Sequence, residues 1–210
     1  MIEAIIFDMD GVIIDSEPLW KKAIINVMKR EGFDFTIDMC NRTKGMRVDE
    51  VIRFWKVELN ADFDSNKLSK EIVEEVIFLI KQEGESMEGL EELLVKAKNK
   101  NLKIALASSS PSIIINVVLT KLNILTYFDA VQSAEYEEYG KPHPGVFITA
   151  ANKMKVDPAN CLVVEDSLHG VIAAKAAKMK VAALPEKEEK QLHKFAIADS
   201  IVNKLNEIRF

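Results

Sequence analysis

The sequence predicts an α/β fold in which a doubly wound parallel sheet is interrupted, after its first strand, by an all-helical insertion. Three observations lead to this prediction. Residues 4–7 form a fully apolar run, which is typical of a strand buried on both faces of a parallel sheet. Helical patterns then fill residues 16–84 without strand-like alternation. From residue 87 onward helical and strand patterns alternate, and repeated β–α units of this kind form right-handed crossovers between parallel strands.

The insertion is predicted to contain three helices. Ser16 is a candidate N-cap for the first helix, whose apolar residues recur at helical spacing over 20–28 and whose end is expected near Gly32. Two further helical patterns cover residues 48–59 and 68–80. Because no strand pattern separates the three, we expect them to pack together as one unit.

The remainder of the chain is predicted to form the core domain. At 210 residues the chain exceeds a typical single domain and falls short of two, which favours a core with an insertion. We therefore expect a discontinuous core domain over 1–15 and 85–210 and a helical insertion over 16–84. The predicted core elements after the insertion are helix 91–100, strand 103–107, helix 113–122, strand 130–133, helix 146–155, strand 162–164, helix 170–178 and strand 181–184.

Composition and charge argue against several classes of function. The net charge of −5, without a basic cluster, argues against nucleic acid as a partner. No apolar stretch approaches the length of a membrane span, and the N-terminus lacks a signal-peptide pattern, so no membrane partner is expected. Cys40 and Cys161 are isolated, which indicates reduced thiols in a cytoplasmic protein. The acidic composition favours a monomer, and the charge run at 186–191 is most simply a solvated loop.

The strongest chemical signal is a pair of carboxylates, Asp8 and Asp10, directly after the first strand. Ionised carboxylates are costly at a buried strand end unless they are paired, hydrogen-bonded or metal-bound. A second apolar strand ends in Glu165 and Asp166, so acids from two strands are expected at one sheet edge, where α/β proteins bind ligands. Three or four oxygen ligands suit Mg²⁺. In the alternative interpretation, Asp8 and Asp10 only cap backbone N–H groups of a turn.

Two further strand ends carry polar residues suited to an anion. Residues 108–110 are three serines followed by Pro111 and a helix, and hydroxyls with free N–H groups at a helix N-terminus can bind an anion. Plain N-capping by a serine is the alternative. Lys141 lies in the sequence Gly-Lys-Pro-His-Pro, where two prolines restrict the backbone, so its ammonium could neutralise a phosphate. A solvated surface lysine is the alternative there.

These four groups, in this order, resemble the four motifs of the haloacid dehalogenase superfamily. The motifs are Asp8-Met-Asp-Gly, the strand end at Ser108, Lys141, and Glu165-Asp166. The resemblance spans essentially the whole chain and implies a Rossmann-like core. The helical insertion resembles the type 1 cap of the β-phosphoglucomutase-like phosphatase branch. Residues 15–20, 45–47 and 133–135 further resemble the group of bacterial hexitol phosphatases and 2-deoxyglucose-6-phosphatases.

The resemblance implies a role for each of the acids. Asp8 would attack phosphorus and form a transient aspartyl-phosphate. Asp10 would protonate the leaving alkoxide and then deprotonate the attacking water. Mg²⁺ would be held by Asp8, the backbone carbonyl of Asp10 and Asp166, with Glu165 as a direct or water-mediated ligand. Ser108, the N–H of Ser109 and Lys141 would bind the phosphoryl oxygens.

The resemblance also implies a function, the Mg²⁺-dependent hydrolysis of small sugar or sugar-alcohol phosphates. The alternative is a hexose phosphomutase, in which cations such as Lys44 and Arg47 would bind a second phosphate. Sugar phosphomutases of this branch tend to carry a histidine where Trp20 stands, and an apolar ring cannot take its part in proton transfer. A non-catalytic, metabolite-sensing module is a third hypothesis, which retention of Asp8 and Asp10 disfavours.

Substrate specificity is expected to depend on the insertion, and the candidates are Trp20, Lys44, Gly45 and Arg47. Residues 44–47 lie between predicted helices, and a solvated interhelical turn is the alternative. Trp20 and Trp55 could both line a sugar-binding cleft, but each ring falls in a helical apolar stripe, which favours packing in the core for both.

Overall fold

Six parallel strands form the central sheet of this computed structural model, which describes residues 1–186 and 192–210. The strands are β1 (Ala4–Phe7), β2 (Lys103–Ser108), β3 (Ala130–Ser133), β4 (Cys161–Glu165), β5 (Lys180–Ala183) and β6 (Ser200–Ile201). Their order in the sheet is β3-β2-β1-β4-β5-β6, and every neighbouring pair is parallel. The strands that follow β1 in the chain lie first on one side of it (β2 and β3) and then on the other (β4, β5 and β6). In sheets of this kind a ligand binds where the two halves meet, which here is at the C-terminal ends of β1, β2 and β4.

The described residues contain eight α-helices, five of them between β1 and β2. The helices are α1 (Glu17–Arg30), α2 (Ile37–Arg42), α3 (Val48–Glu58), α4 (Ser65–Glu83), α5 (Leu90–Asn99), α6 (Ser112–Lys121), α7 (Gly145–Met154) and α8 (Leu168–Ala176). The predicted α/β fold with a doubly wound parallel sheet is confirmed. Two elements were not predicted: α2, which has six residues and begins at a Thr36 side-chain cap, and β6, which has two exposed residues. Both are too short to show a hydrophobic period.

Each face of β1 packs in a separate part of the core. Ile5 and Phe7 join the larger cluster, which continues into the insertion, whereas Ala4 and Ile6 pack on the side of α7 and α8. All four residues are fully buried. This two-sided burial explains why the strand is apolar throughout, and it places the residue that follows Phe7 at the centre of the sheet edge.

The insertion is joined to the core where its two connecting segments lie side by side. The backbone N–H of Asp15 donates to the carbonyl of Glu85 at 2.9 Å, and that of Met87 donates to Ile13 at 3.0 Å. Within the insertion, α1 and α3 pack on α4, and Trp55 is 2% exposed, which confirms that this ring belongs to the core. We propose that residues 16–84 form a separate helical module on the discontinuous core.

Within the described residues, no helix is both long enough and apolar enough to cross a membrane. Cys40 and Cys161 are free and buried, and burial raises the pKa of both thiols, to about 11 and about 12. Of the charge run at 186–191, residues 187–191 lie outside the described residues.

Candidate active site

The C-terminal ends of β1, β2 and β4 open into a cavity that the helical insertion covers. The empty space inside it, counted together with the part that is open to solvent, is ≈ 660 Å³. Both parts of the chain contribute to its wall. The lining residues are Asp8, Asp10, Glu17, Trp20, Lys21, Ile24, Cys40, Thr43, Lys44, Gly45, Met46, Val48, Val51, Ser108, Ser109, Ser110, Lys141 and Asp166.

A buried lysine connects the two acidic strand ends. Lys141 Nζ donates to Asp8 Oδ1 at 2.7 Å and to Glu165 Oε1 at 2.6 Å, and its side chain is 1% exposed. Burial opposes the charge on Lys141, but the two carboxylates hold its pKa above the ordinary value. Burial raises the pKa of Asp8, and the charge of Lys141 only partly offsets this effect. Lys141 is therefore not a solvated surface lysine.

Glu165 and Asp166 face different partners although they are adjacent. Glu165 Oε2 accepts from the N–H and Oγ of Ser167, at 2.7 and 2.9 Å, so both of its oxygens are occupied. Asp166 lines the cavity, and its Oδ2 lies 2.6 Å from Lys44 Nζ. Burial raises the pKa of Asp166 to about 7 despite this ammonium. A Cβ atom on Gly11, whose φ is +72°, would lie 2.2 Å from Asp166 Oδ2, so only glycine lets this carboxylate approach.

Three acids at this sheet edge can hold a metal ion. Asp8, Glu165 and Asp166 each offer a buried oxygen, and these oxygens lie within 4.8 Å of one another. Asp166 Oδ2 already faces a positive charge, the Lys44 ammonium at 2.6 Å. Carboxylate oxygens are the donors that hard cations prefer, so the residues fit Mg²⁺.

The side chain of Asp10 does not belong to this acidic cluster. The resemblance implied a metal contact for its backbone carbonyl and not for its carboxylate. Its Oδ1 accepts from Ser16 Oγ at 2.5 Å and from Trp20 Nε1 at 2.8 Å, and its Oδ2 accepts from Ser110 Oγ at 2.6 Å. Any contact between Asp10 and a metal would have to come from its backbone carbonyl. All three donors are side chains, so the turn-capping alternative does not describe this carboxylate.

Two corrections follow from the Asp10 hydrogen bonds. Trp20 is not confined to the core, because it lines the cavity and its indole N–H holds Asp10. It remains unable to accept a proton, since the indole nitrogen is a donor only. Ser16 occupies the N-cap position of α1, but its hydroxyl makes no capping bond and goes to Asp10 instead.

The three serines at the end of β2, residues 108–110, make hydrogen bonds to different partners. None of them caps α6, whose N-cap residue is Pro111. Ser108 Oγ accepts from the N–H of Ser110 at 3.0 Å, and Ser109 Oγ donates to the carbonyl of Gly45 at 2.8 Å. The capping alternative is therefore wrong for α6. All three serines line the cavity beside Lys141, as an anion site requires.

The segment between α2 and α3 lies against the core and is not a solvated turn. Lys44 Nζ pairs with Asp166 and, at 2.9 Å, with Glu186. Gly45 has a φ of +80°, and a Cβ atom there would lie 2.5 Å from Ser167 Oγ. Arg47 does not line the cavity, so the structure does not support it as a specificity residue.

Sequence reasoning missed three charged residues that bound or adjoin the cavity. Glu17 and Lys21 line it from α1, and Lys21 Nζ pairs with Glu186 at 3.2 Å. Glu186 therefore makes ion pairs and is not a solvated residue. Burial, with the nearby charge of Asp166, raises the pKa of Glu17 to about 8. The sequence could have indicated Glu17 and Lys21, because they share one helix face with Trp20 and Ile24 at spacings of three, four and seven residues from Glu17.

The raised pKa values predict how stability depends on pH without a divalent ion. The folded state holds protons on Asp8, Asp166 and Glu17 that the unfolded chain releases near pH 4, so the free energy of unfolding falls as pH rises from about 4 to about 8. Carboxyl groups whose pKa is lowered in the folded state, such as Asp129 and Asp199, affect the free energy of unfolding only at lower pH, where they become protonated. We expect Tm in EDTA to fall by several degrees between pH 5 and pH 8, since 1 kcal/mol corresponds to about 2–4 °C at this size.

Added Mg²⁺ is expected to reverse this trend, because cations bind the deprotonated acids and stabilise the fold more at higher pH. The test is to measure Tm by thermal unfolding at pH 5 and at pH 8, once in EDTA and once in Mg²⁺. A Tm in EDTA that rises from pH 5 to pH 8 would contradict the assignment of buried, protonated acids.

Comparison with known proteins gives one consistent family. Residues 5–184 match the family model of haloacid dehalogenase-like hydrolases. The chain is 36% identical over 209 residues to hexitol phosphatase B of Escherichia coli, which covers 99% of this chain and 94% of that protein. It is 34% identical over 179 residues to fructose-1-phosphate phosphatase YqaB of Escherichia coli, covering 83% and 92%. The crystal structure of β-phosphoglucomutase from Clostridium difficile matches with a TM-score of 0.88 at 28% identity, covering 100% of this chain and 94% of that one.

Proposed function

The chain belongs to the haloacid dehalogenase-like hydrolases and is a phosphatase, and we propose that it hydrolyses small sugar or sugar-alcohol phosphates with the help of Mg²⁺. One observation carries the proposal. At a single sheet edge, Lys141 contacts Asp8 at the wall of a cavity that also contains Asp10 and Asp166. A nucleophile, a proton carrier, a phosphate-binding cation and metal-binding acids are thus present together.

The first half of the reaction would break the phosphate ester. A carboxylate oxygen of Asp8 forms a bond to phosphorus while the bond from phosphorus to the ester oxygen breaks, and the leaving alkoxide takes a proton from Asp10. Lys141, the Ser108 hydroxyl and the Ser109 N–H balance the charge on the phosphoryl oxygens. Asp8, Asp166 and the backbone carbonyl of Asp10 would hold Mg²⁺, which would supply further charge neutralisation. Glu165 holds Lys141 in place through Oε1 and is the third acid of the candidate metal site.

The second half would restore the enzyme. Asp10 accepts a proton from water as the water oxygen bonds to phosphorus, and the bond from Asp8 to phosphorus breaks to release inorganic phosphate. Asp10 can return to its starting position because Ser16, Trp20 and Ser110 fix both of its oxygens. Between the two halves Asp10 is a carboxylate, and the three side-chain donors hydrogen-bond to it until it accepts the proton from water.

The chemistry of the cavity wall supports a polyhydroxy substrate. The insertion contributes the carboxyl group of Glu17 and the ammonium groups of Lys21 and Lys44, together with the ring of Trp20. Charged acceptors and donors near an aromatic ring suit the hydroxyl groups and the apolar face of a small sugar. The names of the two related phosphatases, which refer to hexitol and fructose 1-phosphate, agree with this class.

A substrate screen tests the proposal. We expect phosphate release from hexitol phosphates and small sugar phosphates in Mg²⁺, and loss of that release in EDTA. Phosphorus NMR on a sugar 1-phosphate, with and without a sugar bisphosphate, tests the phosphomutase alternative. Net isomerisation without phosphate release would establish the mutase, and no turnover of any ester in Mg²⁺ would leave only a binding role. Arg47, which pairs with Asp49 and contacts core carbonyls, is not free to bind a second phosphate in this structure.

A further inference from the structure

The first turn of α3 contacts the loop that carries Lys141. Glu50 Oε1 accepts from the backbone N–H of Gly140 at 3.0 Å, and Glu50 Oε2 accepts from the N–H of Arg47 at 3.3 Å. Arg47 Nη1 donates to the carbonyl of Glu137 at 3.0 Å and to that of Ala134 at 3.3 Å. The helical insertion therefore binds the backbone of this core segment at three points, the last of which directly precedes Lys141.

The absence of a side chain at Gly140 permits this contact. A Cβ atom at Gly140 would lie 2.3 Å from Glu50 Oε2 and 2.9 Å from Arg47 Cδ. Gly140 does not have a positive φ, so its backbone conformation is open to any residue. Glycine is required here by the close approach of α3 and not by the conformation of the loop.

We propose that Glu50 is a positioning residue for Lys141, an inference that rests on the proposed phosphatase function. Lys141 Nζ makes bonds of 2.7 and 2.6 Å to Asp8 and Glu165, and such geometry tolerates little displacement of the backbone that carries it. A misplacement of about 1 Å at a reacting group can cost about 10²-fold in rate. Docking of the insertion through Glu50 thus completes the phosphate-binding half of the site as well as covering it.

The test compares Glu50→Ala, Glu50→Gln and the control Glu58→Ala. Glu58 also lies on α3 but pairs with Arg42 inside the insertion. We expect Glu50→Ala to lower kcat by about tenfold or more, and by a similar factor for p-nitrophenyl phosphate and a hexitol phosphate, because Lys141 contacts the phosphoryl group of both. Glu50→Gln should recover most of the rate, since its amide oxygen can accept from Gly140. Gly140→Ala should reproduce the loss through the clash.

Amide hydrogen exchange gives a second readout that needs no substrate. The Gly140 N–H should exchange about tenfold faster or more in Glu50→Ala, and remain protected in Glu50→Gln and Glu58→Ala. Equal kcat and equal exchange in Glu50→Ala and Glu58→Ala would overturn the proposal, as would a loss confined to the hexitol phosphate or a Glu50→Gln variant no better than Glu50→Ala. If the unmodified protein releases no phosphate, the proposed function fails by itself, and the exchange experiment still decides whether Glu50 holds the loop.

Discussion

Replacement of Asp8 by asparagine is expected to abolish phosphate release, with a fall in kcat of at least about 10⁴-fold. An amide is a poor nucleophile, so the covalent route through residue 8 is closed. The fold should persist, because asparagine matches aspartate in volume and Lys141 keeps its ion pair with Glu165. Phosphate release from a hexitol phosphate in Mg²⁺, measured beside the thermal unfolding midpoint, tests both expectations.

Asp15→Asn is a matched control for this variant. Asp15 is exposed on the segment that leads into α1, and it does not line the cavity, so its replacement should leave kcat within about twofold. Substantial release of phosphate by Asp8→Asn, in a preparation shown by mass spectrometry to contain no reverted aspartate, would remove Asp8 from the role of nucleophile.

Lys141→Met is expected to abolish activity and also to destabilise the protein, by about 3–5 kcal/mol at neutral pH. The variant keeps an apolar stem of similar length but leaves Asp8 and Glu165 buried without their shared cation. A loss of this size corresponds to a fall in Tm of roughly 10 °C or more in a protein of this length. Lys180→Met, on an exposed lysine at the start of β5, is the control, and it should change Tm by about 2 °C or less.

The destabilisation of Lys141→Met should depend on pH in a definite direction. Without the ammonium, the pKa of Asp8 in the folded state rises further above that of the unfolded chain, which lies near 4. The folded state then binds more protons than the unfolded state, so its stability falls as pH rises. The Tm deficit relative to the unmodified protein should therefore be smaller at pH 5 than at pH 8. A deficit that grows on acidification would show that Lys141 does not stabilise this acid.

The parts of the site that the sequence predicts are those placed by strand ends. Asp8, Ser108 and Asp166 each follow or end an apolar run, and parallel strands bring such residues to one edge regardless of loop details. Lys141 is also found at this edge, although no strand carries it directly. The fold was predictable for the same reason, since the alternation of short apolar runs with helical stripes determines a parallel sheet.

The residues that could not be assigned are those whose partners lie far away in the chain. Trp20 contacts Asp10 from an apolar helical stripe, and hydrophobic periodicity alone assigns such a ring to the core. Arg47 was expected to face the substrate, whereas its guanidinium binds carbonyls about ninety residues later in the chain. Glu186 pairs with Lys44 across 142 positions. Sequence periodicity carries information over one or two turns, and these contacts depend on how the insertion rests on the core.

The paired connections at Asp15 and Glu85, and at Ile13 and Met87, have an evolutionary consequence. The chain leaves and re-enters the core at adjacent points, so the whole helical stretch can be exchanged as a cassette without a change in the path of the remaining backbone. The residues that we propose attack and bind phosphate lie outside this cassette, whereas Glu17, Lys21 and Lys44 lie inside it. A replacement stretch would bring its own residues to the substrate, but it would also have to replace the hydrogen bonds that Ser16 and Trp20 make to Asp10 and that Glu50 makes to the loop before Lys141.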